Sequence, residues 1–374
     1  MSGKLVAYVG SYTYIGKSKG ITIFDVDEEK GTFEKRKEIT VNNSSHMRLS
    51  RDRKLLYSLS DEGIVTFKIL PDGDLEYMST ADIRGMRGRH LELSMDGRFF
   101  FVAGYHDGKL TVLKRKKDGS AGAITDFFYD KGSGSIADRN FQPHLSCVRL
   151  TPDQKYLCVA NRGVDQIRIF RFDDKRGKIK LVDFLRCKLD SAPRYFHFSR
   201  DGQYFYVLGE LTNTISVYRY RDADGTPEFT LLQEISTLGK KASNVNAAAA
   251  IFLSQDEKHV FCSNSGDNSV AVYDRDPETG LLTQLFVLPV SGAYPKDIGL
   301  FPDGKRLYSV NFEECTITFF QLHYEERYMT MYAPPLHIDQ PNRCIMVRAK
   351  EERKPKDESG LAGNGETGQK QPEE

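Results

Sequence analysis

Along most of the chain, apolar residues alternate with polar ones or run together in stretches of five to eight, and Gly, Asp, Asn or Pro interrupts them before any helical period develops. One unit recurs six times: HMRLSRDRKLLYSLS from His46, HLELSMDGRFFFVAG from His90, SCVRLTPDQKYLCVAN from Ser146, YFHFSRDGQYFYVLGE from Tyr195, AAIFLSQDEKHVFCSN from Ala249 and DIGLFPDGKRLYSVN from Asp297. Each predicts a strand, a tight turn carrying Asp, and a returning strand. Third strands follow (QIRIFRF, TISVYRY, SVAVYDR, TITFFQL), and then fourth strands such as KIKLVDFL and LLTQLFVL. The turns begin at Ser50, Ser94, Thr151, Ser199, Ser254 and Phe301, at spacings of 44, 57, 48, 55 and 47 residues, the period of propeller blades.

Six turns make six blades and leave material at both ends. KLVAYVGSYT, GITIFDVD and TFEKRKEIT read as second, third and fourth strands lacking a first, and RCIMVRAK (343–350) reads as that missing first strand. Joined, they complete a seventh blade and remove the open edge. The expected fold is all-β, a seven-bladed propeller of four-stranded antiparallel sheets over residues 1–349. The tail at 350–374, without aromatic or β-branched residues except Thr367, is expected to be disordered.

Composition then narrows the class. The absence of tryptophan excludes the Trp-Asp type of propeller. A net charge of +1 argues against nucleic acid or an anionic membrane as partner, and no apolar run nears the roughly 18 residues of a membrane span. The N-terminal stretch lacks a secretory pattern, so the cytoplasm is the expected location, and a monomer or weak homo-oligomer is the expected form. Six cysteines without a C-x-x-C spacing suggest neither a zinc site nor a disulfide framework.

In an up-and-down blade, the first strand starts at the end where the second finishes, so one mouth of the ring collects residues from both. The first strands start at Ser45–His46, Arg89–His90, Pro143–His144, Pro193–Arg194, Asn246–Ala247, Pro295–Lys296 and Asn342–Arg343. The second strands end at Asp61, Tyr105, Asn161–Arg162, Glu210, Asn264–Ser265 and Asn311. This mouth is rich in cations and suits a small anion. Its expected binding residues are Arg89, His90, Arg162, Asn264, Ser265, Lys296, Asn311 and Arg343. Glu210, following the apolar run YFYVLG, demands a compensating cation or ligand.

At these residues the chain resembles the seven-bladed-propeller lactonases typified by bacterial 6-phosphogluconolactonase. The likeness is carried by VGSYT (9–13), GITIFDVD (20–27), RNFQPH (139–144), APRYFHFSRDG (192–202), the YVLGELTNTISVY stretch ending at Tyr218, and CSNSGDNSVAVYDRD (262–276). The resemblance implies His144, Arg194 and Glu210 as catalytic residues and a small anionic sugar lactone, 6-phosphogluconolactone above all, as substrate. It implies arginine where Ser265 and Lys296 stand and a second histidine at Ser146; Arg162 is placed to substitute for the missing arginine. A water activated by Glu210 or His144 would attack the lactone carbonyl, Arg194 stabilising the oxyanion or phosphate. No cofactor is expected. Asn161, Glu210, Asn264 and Asn311 could offer oxygen ligands to a hard cation, but the crowd of arginines favours no metal. Two rivals share the scaffold: a carboxymuconate-type lactonising cyclase and a non-catalytic anion-binding propeller.

Overall fold

The computed structural model describes residues 3–134, 142–240, 242 and 245–349. The tail expectation for 350–374 and the RNF of RNFQPH at 139–141 lie outside the described residues.

Seven antiparallel sheets follow one another round an axis. Blade 1 joins the chain ends in the order Pro341–Arg348, Leu5–Ser11, Gly20–Asp27, Thr32–Thr40. Its closing register pairs Val6 with Val347 and Tyr8 with Ile345. In the other blades, strands run in chain order outward from the axis. The first and second strands are Met47–Leu49 and Leu55–Ser60 in blade 2, Gly88–Leu93 and Phe99–Gly104 in blade 3, and Leu145–Leu150 and Tyr156–Asn161 in blade 4. They are Pro193–Phe198 and Tyr204–Gly209 in blade 5, Ala248–Leu253 and His259–Asn264 in blade 6, and Pro295–Leu300 and Arg306–Asn311 in blade 7. The fourth strand of blade 7 is split into Tyr328–Met331 and Leu336–His337, both paired with Thr316–His323, because Pro334 and Pro335 cannot donate to the ladder.

Second strands such as FFFVAG are almost wholly buried because each of their faces meets a neighbouring blade. The core is therefore divided into clusters between adjacent blades, from Leu55, Leu59, Leu91 and Phe100 between blades 2 and 3 to Ala7, Phe24, Tyr308 and Phe319, which seal blade 7 to blade 1. Tyrosines latch neighbours together: Tyr8, Tyr57 and Tyr206 donate to the carbonyls of Gly73, Gly119 and Gly280 in the next blade at 2.8, 2.7 and 2.9 Å. The repeated turn has a local cause. The hydroxyls of Ser50, Ser94 and Ser254 each donate to the aspartate two residues on at 2.6 Å and accept the amide five residues on at 2.9–3.0 Å. Among the described residues, no helix is long and apolar enough to cross a membrane.

Candidate active site

One rule of backbone geometry builds the cavity at one mouth of the ring. Pairing between first and second strands slips at the start of six blades, at Gly88/His90, Leu145/Cys147, Pro193/Tyr195, Ala248/Ile251, Pro295/Asp297 and the Pro341–Arg343 end of blade 1. In four of these, the extra residue of the bulge is Arg89, Ser146, Arg194 or Lys296, and all four line the cavity. A bulge re-aims a side chain in this way. The second contribution comes from the residue directly after each second strand: Tyr12, Tyr105, Arg162 and Glu210 also line it. Ser45, Arg87, Gly88, His106, His144 and Tyr294 complete a cavity of about 500 Å³.

Three of the proposed residues sit on adjoining blades. Arg162 Nη2 donates to Glu210 Oε1 at 2.9 Å, and its Nε lies 2.7 Å from Oε2. Arg194 Nη1 approaches Oε1 from the other side at 3.3 Å. All three are buried, at 7, 5 and 4% exposure for Arg162, Arg194 and Glu210. Burial works against the Arg194 charge, but Glu210 and then Tyr294 outweigh it and hold its pKa above the ordinary arginine value. Arg162 also donates to the Tyr105 hydroxyl and lies over that ring.

His144 is fixed by its surroundings. Its ring stacks on Tyr105 with centroids 4.4 Å apart, its backbone amide donates to Asn161 Oδ1 at 3.0 Å, and Nδ1 lies 2.7 Å from the Tyr105 carbonyl oxygen. A carbonyl only accepts, so Nδ1 carries a proton, and the neutral tautomer this contact selects has its lone pair on Nε2. Nε2 has no hydrogen-bond partner among the described residues. The next turn supports this placement: Asn161 caps the short 3-10 turn Arg162–Val164, accepting from Gly163 N at 3.1 Å.

Four arginines and one lysine meet a single glutamate among the described lining residues. The positive field reaches His106, whose pKa is lowered by burial, then by Arg87 and His144.

Of the expected binding residues, Arg89, Arg162 and Lys296 join His144, Arg194 and Glu210 at the cavity; the others stand elsewhere. His90 and Arg343 each follow a bulge residue and so point along the axis. His90 Nε2 bonds the Tyr195 hydroxyl at 3.0 Å, and Arg343 pairs with Asp297 at 2.9 Å. Asn264 and Asn311 are the last residues of their strands, one position too early. Their amides tie down Thr237 O and Ser269 Oγ, and Thr316 Oγ1 and Thr318 Oγ1, respectively. Ser265 turns its hydroxyl to the Pro295 carbonyl at 3.4 Å. Sequence reasoning missed Arg87 and Tyr294, which lie in turns, and His106; Tyr12 was within reach as the residue leaving the second strand of blade 1. Among the described residues, no group of three or more His, Cys, Asp or Glu is arranged to hold a metal.

Beneath the cavity the axis is plugged. Val148 N donates to His90 Nδ1 and Leu91 N to His46 Nδ1, both at 3.3 Å, leaving two neutral imidazoles whose Nε2 atoms face the Tyr195 hydroxyl. Lower still, Glu92 bridges Arg48 at 2.6 Å and Arg149 at 3.2 Å, and Arg149 donates to His197 Nε2 at 3.1 Å.

Seven four-stranded blades form a ring with an arginine-rich cavity at one mouth, the arrangement of a small-molecule propeller. Residues 6–346 match the family "Lactonase, 7-bladed beta-propeller", and the chain belongs to it; it is a lactone hydrolase. The chain is 28% identical over 327 residues to a 6-phosphogluconolactonase of Formosa agariphila, covering 84% of this chain and 91% of the relative. It is 25% identical to the 6-phosphogluconolactonase of Bacillus subtilis, covering 90% and 97%. A candidate 6-phosphogluconolactonase of Bacteroides fragilis superposes with a TM-score of 0.83 at 29% identity, covering 92% and 98%.

Proposed function

We propose that the protein hydrolyses 6-phosphogluconolactone to 6-phosphogluconate by direct attack of water on the lactone carbonyl. The observation that carries this reading is the His144 contact: Nδ1 donates to the Tyr105 carbonyl, so the tautomer it selects offers its lone pair on Nε2, in a cavity whose other charged side chains are four arginines, one lysine and Glu210. Nε2 takes a proton from the attacking water as its oxygen bonds to the carbonyl carbon. When the ring C–O bond breaks, the imidazolium returns that proton to the departing alkoxide. Arg194 and Arg162 supply preorganised positive charge for the developing oxyanion. Both oxygens of Glu210 are engaged by guanidiniums, so its role is to position the arginines. A cavity of about 500 Å³ accommodates a phosphorylated six-carbon lactone. The relatives named 6-phosphogluconolactonase support the substrate, and six free cysteines are in keeping with a reducing cytoplasm.

The test is a coupled assay in which freshly prepared 6-phosphogluconolactone is followed through oxidation of the released 6-phosphogluconate, with the spontaneous rate subtracted. His144→Gln is expected to lower kcat by roughly 10²- to 10⁴-fold with a smaller change in KM. A wild-type rate no greater than the spontaneous one, or full activity in His144→Gln, refutes the reading. A tricarboxylate muconate assayed in parallel separates it from the cyclase.

A further inference from the structure

Two of the cavity's cations lack a counter-charge among the described residues. Arg87 is held by Asp61 at 2.7 Å, and Arg162 and Arg194 share Glu210. Arg89, half-buried at the bulge of blade 3, has no ion pair or side-chain hydrogen bond among the described residues. Lys296, at the bulge of blade 7, has no carboxylate partner among the described residues either. Its Nζ donates to Asn342 Oδ1 at 2.5 Å and lies 4.2 Å from the Tyr12 ring centroid and 4.1 Å from that of Phe312. Arg89 and Lys296 both line the cavity and the small void beneath it.

The aromatic, polar and charged groups that face Lys296 come from blades 1, 3, 5 and 7. Tyr12 and Phe312 flank it from the turns of blades 1 and 7, Asn342 from the first strand of blade 1, Arg87 and Arg89 from blade 3, and Arg194 from blade 5. The adjacent acid, Asp297, is turned to Arg343 and to the Cys344 amide. Burial first, and then Arg89, Arg194 and Arg87, push the lysine pKa well below its ordinary 10.5. An anion placed against Arg89 removes the like-charge part of that effect, and the two rings then face an ammonium they stabilise.

We infer that Arg89 and Lys296 form the seat for the phosphate of a phosphorylated sugar lactone, and that Lys296 takes up a proton as the phosphate binds. The identity of the sugar rests on the lactonase reading; the phosphate rests on these two side chains. Lys296 is then what separates a phosphorylated lactone from its neutral counterpart, leaving Arg162, Arg194 and His144 to the carbonyl end.

Titration calorimetry at pH 8 tests this, with the stable product 6-phosphogluconate and with gluconate, in two buffers of different ionisation enthalpy. With a second phosphate pKa of about 6, the ligand is already a dianion there, so an uptake reports on the protein. The wild type is expected to bind 6-phosphogluconate at least roughly tenfold more tightly than gluconate, with uptake of a fraction of a proton. Lys296→Arg should keep the affinity within a few-fold and lose the uptake. Lys296→Met and Arg89→Met should each weaken 6-phosphogluconate binding by about 10- to 100-fold and gluconate binding by less than about twofold. Equal affinities for the two ligands, or uptake persisting in Lys296→Arg, overturns the inference, and that second comparison stands even if Lys296→Met does not fold. The expected binding pattern without lactone hydrolysis sinks only the catalytic reading; hydrolysis indifferent to Lys296 and Arg89 sinks only the phosphate seat.

Discussion

Replacing Glu210 by Gln preserves the shape of the side chain and removes the charge that lets Arg162 and Arg194 lie together. Both arginines are more than nine-tenths buried and meet the carboxylate at 2.7–3.3 Å. Breaking a buried ion pair by deleting one partner costs about 3–5 kcal/mol, because the remaining charge keeps its desolvation penalty. Here the cavity lets some water reach the arginines, which sets the expectation near the lower end, at about 3 kcal/mol. Against a typical domain stability of about 5–15 kcal/mol, that is a large fraction. Unfolding is best followed by far-UV circular dichroism, since the chain has no tryptophan. Urea is the better denaturant, since guanidinium would screen the effect. Sulfate should rescue the variant by replacing the missing anion: at 100 times its Kd a ligand returns about 2.7 kcal/mol. The wild type, whose arginines are already paired, should gain less. A loss below about 1 kcal/mol, or equal stabilisation of both proteins by sulfate, would refute the account of Glu210 as the charge that holds the two arginines.

Two further outcomes are expected. Gly163 has no room for a Cβ, which would stand 1.5 Å from the Gln142 carbonyl oxygen and 3.2 Å from the His144 amide nitrogen. Gly163→Ala should therefore displace the His144 segment and lower kcat/KM by roughly tenfold or more; an unchanged kcat/KM contradicts this. His46, His90 and His197 are held neutral, burial first and neighbouring charges second lowering their pKa values well below 6.5. The unfolded chain gains protons as pH falls through 6.5 while the folded protein does not. Stability, complete above that pH, should thus decline by about 1.4 kcal/mol per pH unit for each histidine, or about 4 kcal/mol for the three at pH 5.5. A urea midpoint unchanged between pH 7.5 and 5.5 would show that these histidines are not buried neutral.

The blade pattern was legible because its causes are local. A Ser-x-Asp turn closes its own hydrogen bonds within five residues, and a second strand buried on both faces announces itself as an apolar run. Ring closure could be read for the same reason: RCIMVRAK is a first strand without a sheet, and KLVAYVGSYT opens a sheet of three strands that lacks its first. That His144, Arg194 and Glu210 share one mouth was legible from blade topology, but their proposed catalytic role came only through resemblance, since nothing within PH, PR or GEL taken singly says what they do.

Which residue of each strand start faces the cavity was beyond the sequence. Arg89 and His90 are adjacent, as are Arg194 and Tyr195, and Lys296 and Asp297. A side chain's face reverses with a one-residue slip, and the slip is set by pairing with another strand. The chain by itself determined the seven blades, their order and the excess of cations at one mouth, because these follow from turn chemistry and hydrophobic period. The tertiary structure alone decided that Arg89, Ser146, Arg194 and Lys296 turn to the cavity while His90, Tyr195, Asp297 and Arg343 turn to the axis. That choice belongs to the register between strands, a property no single strand carries.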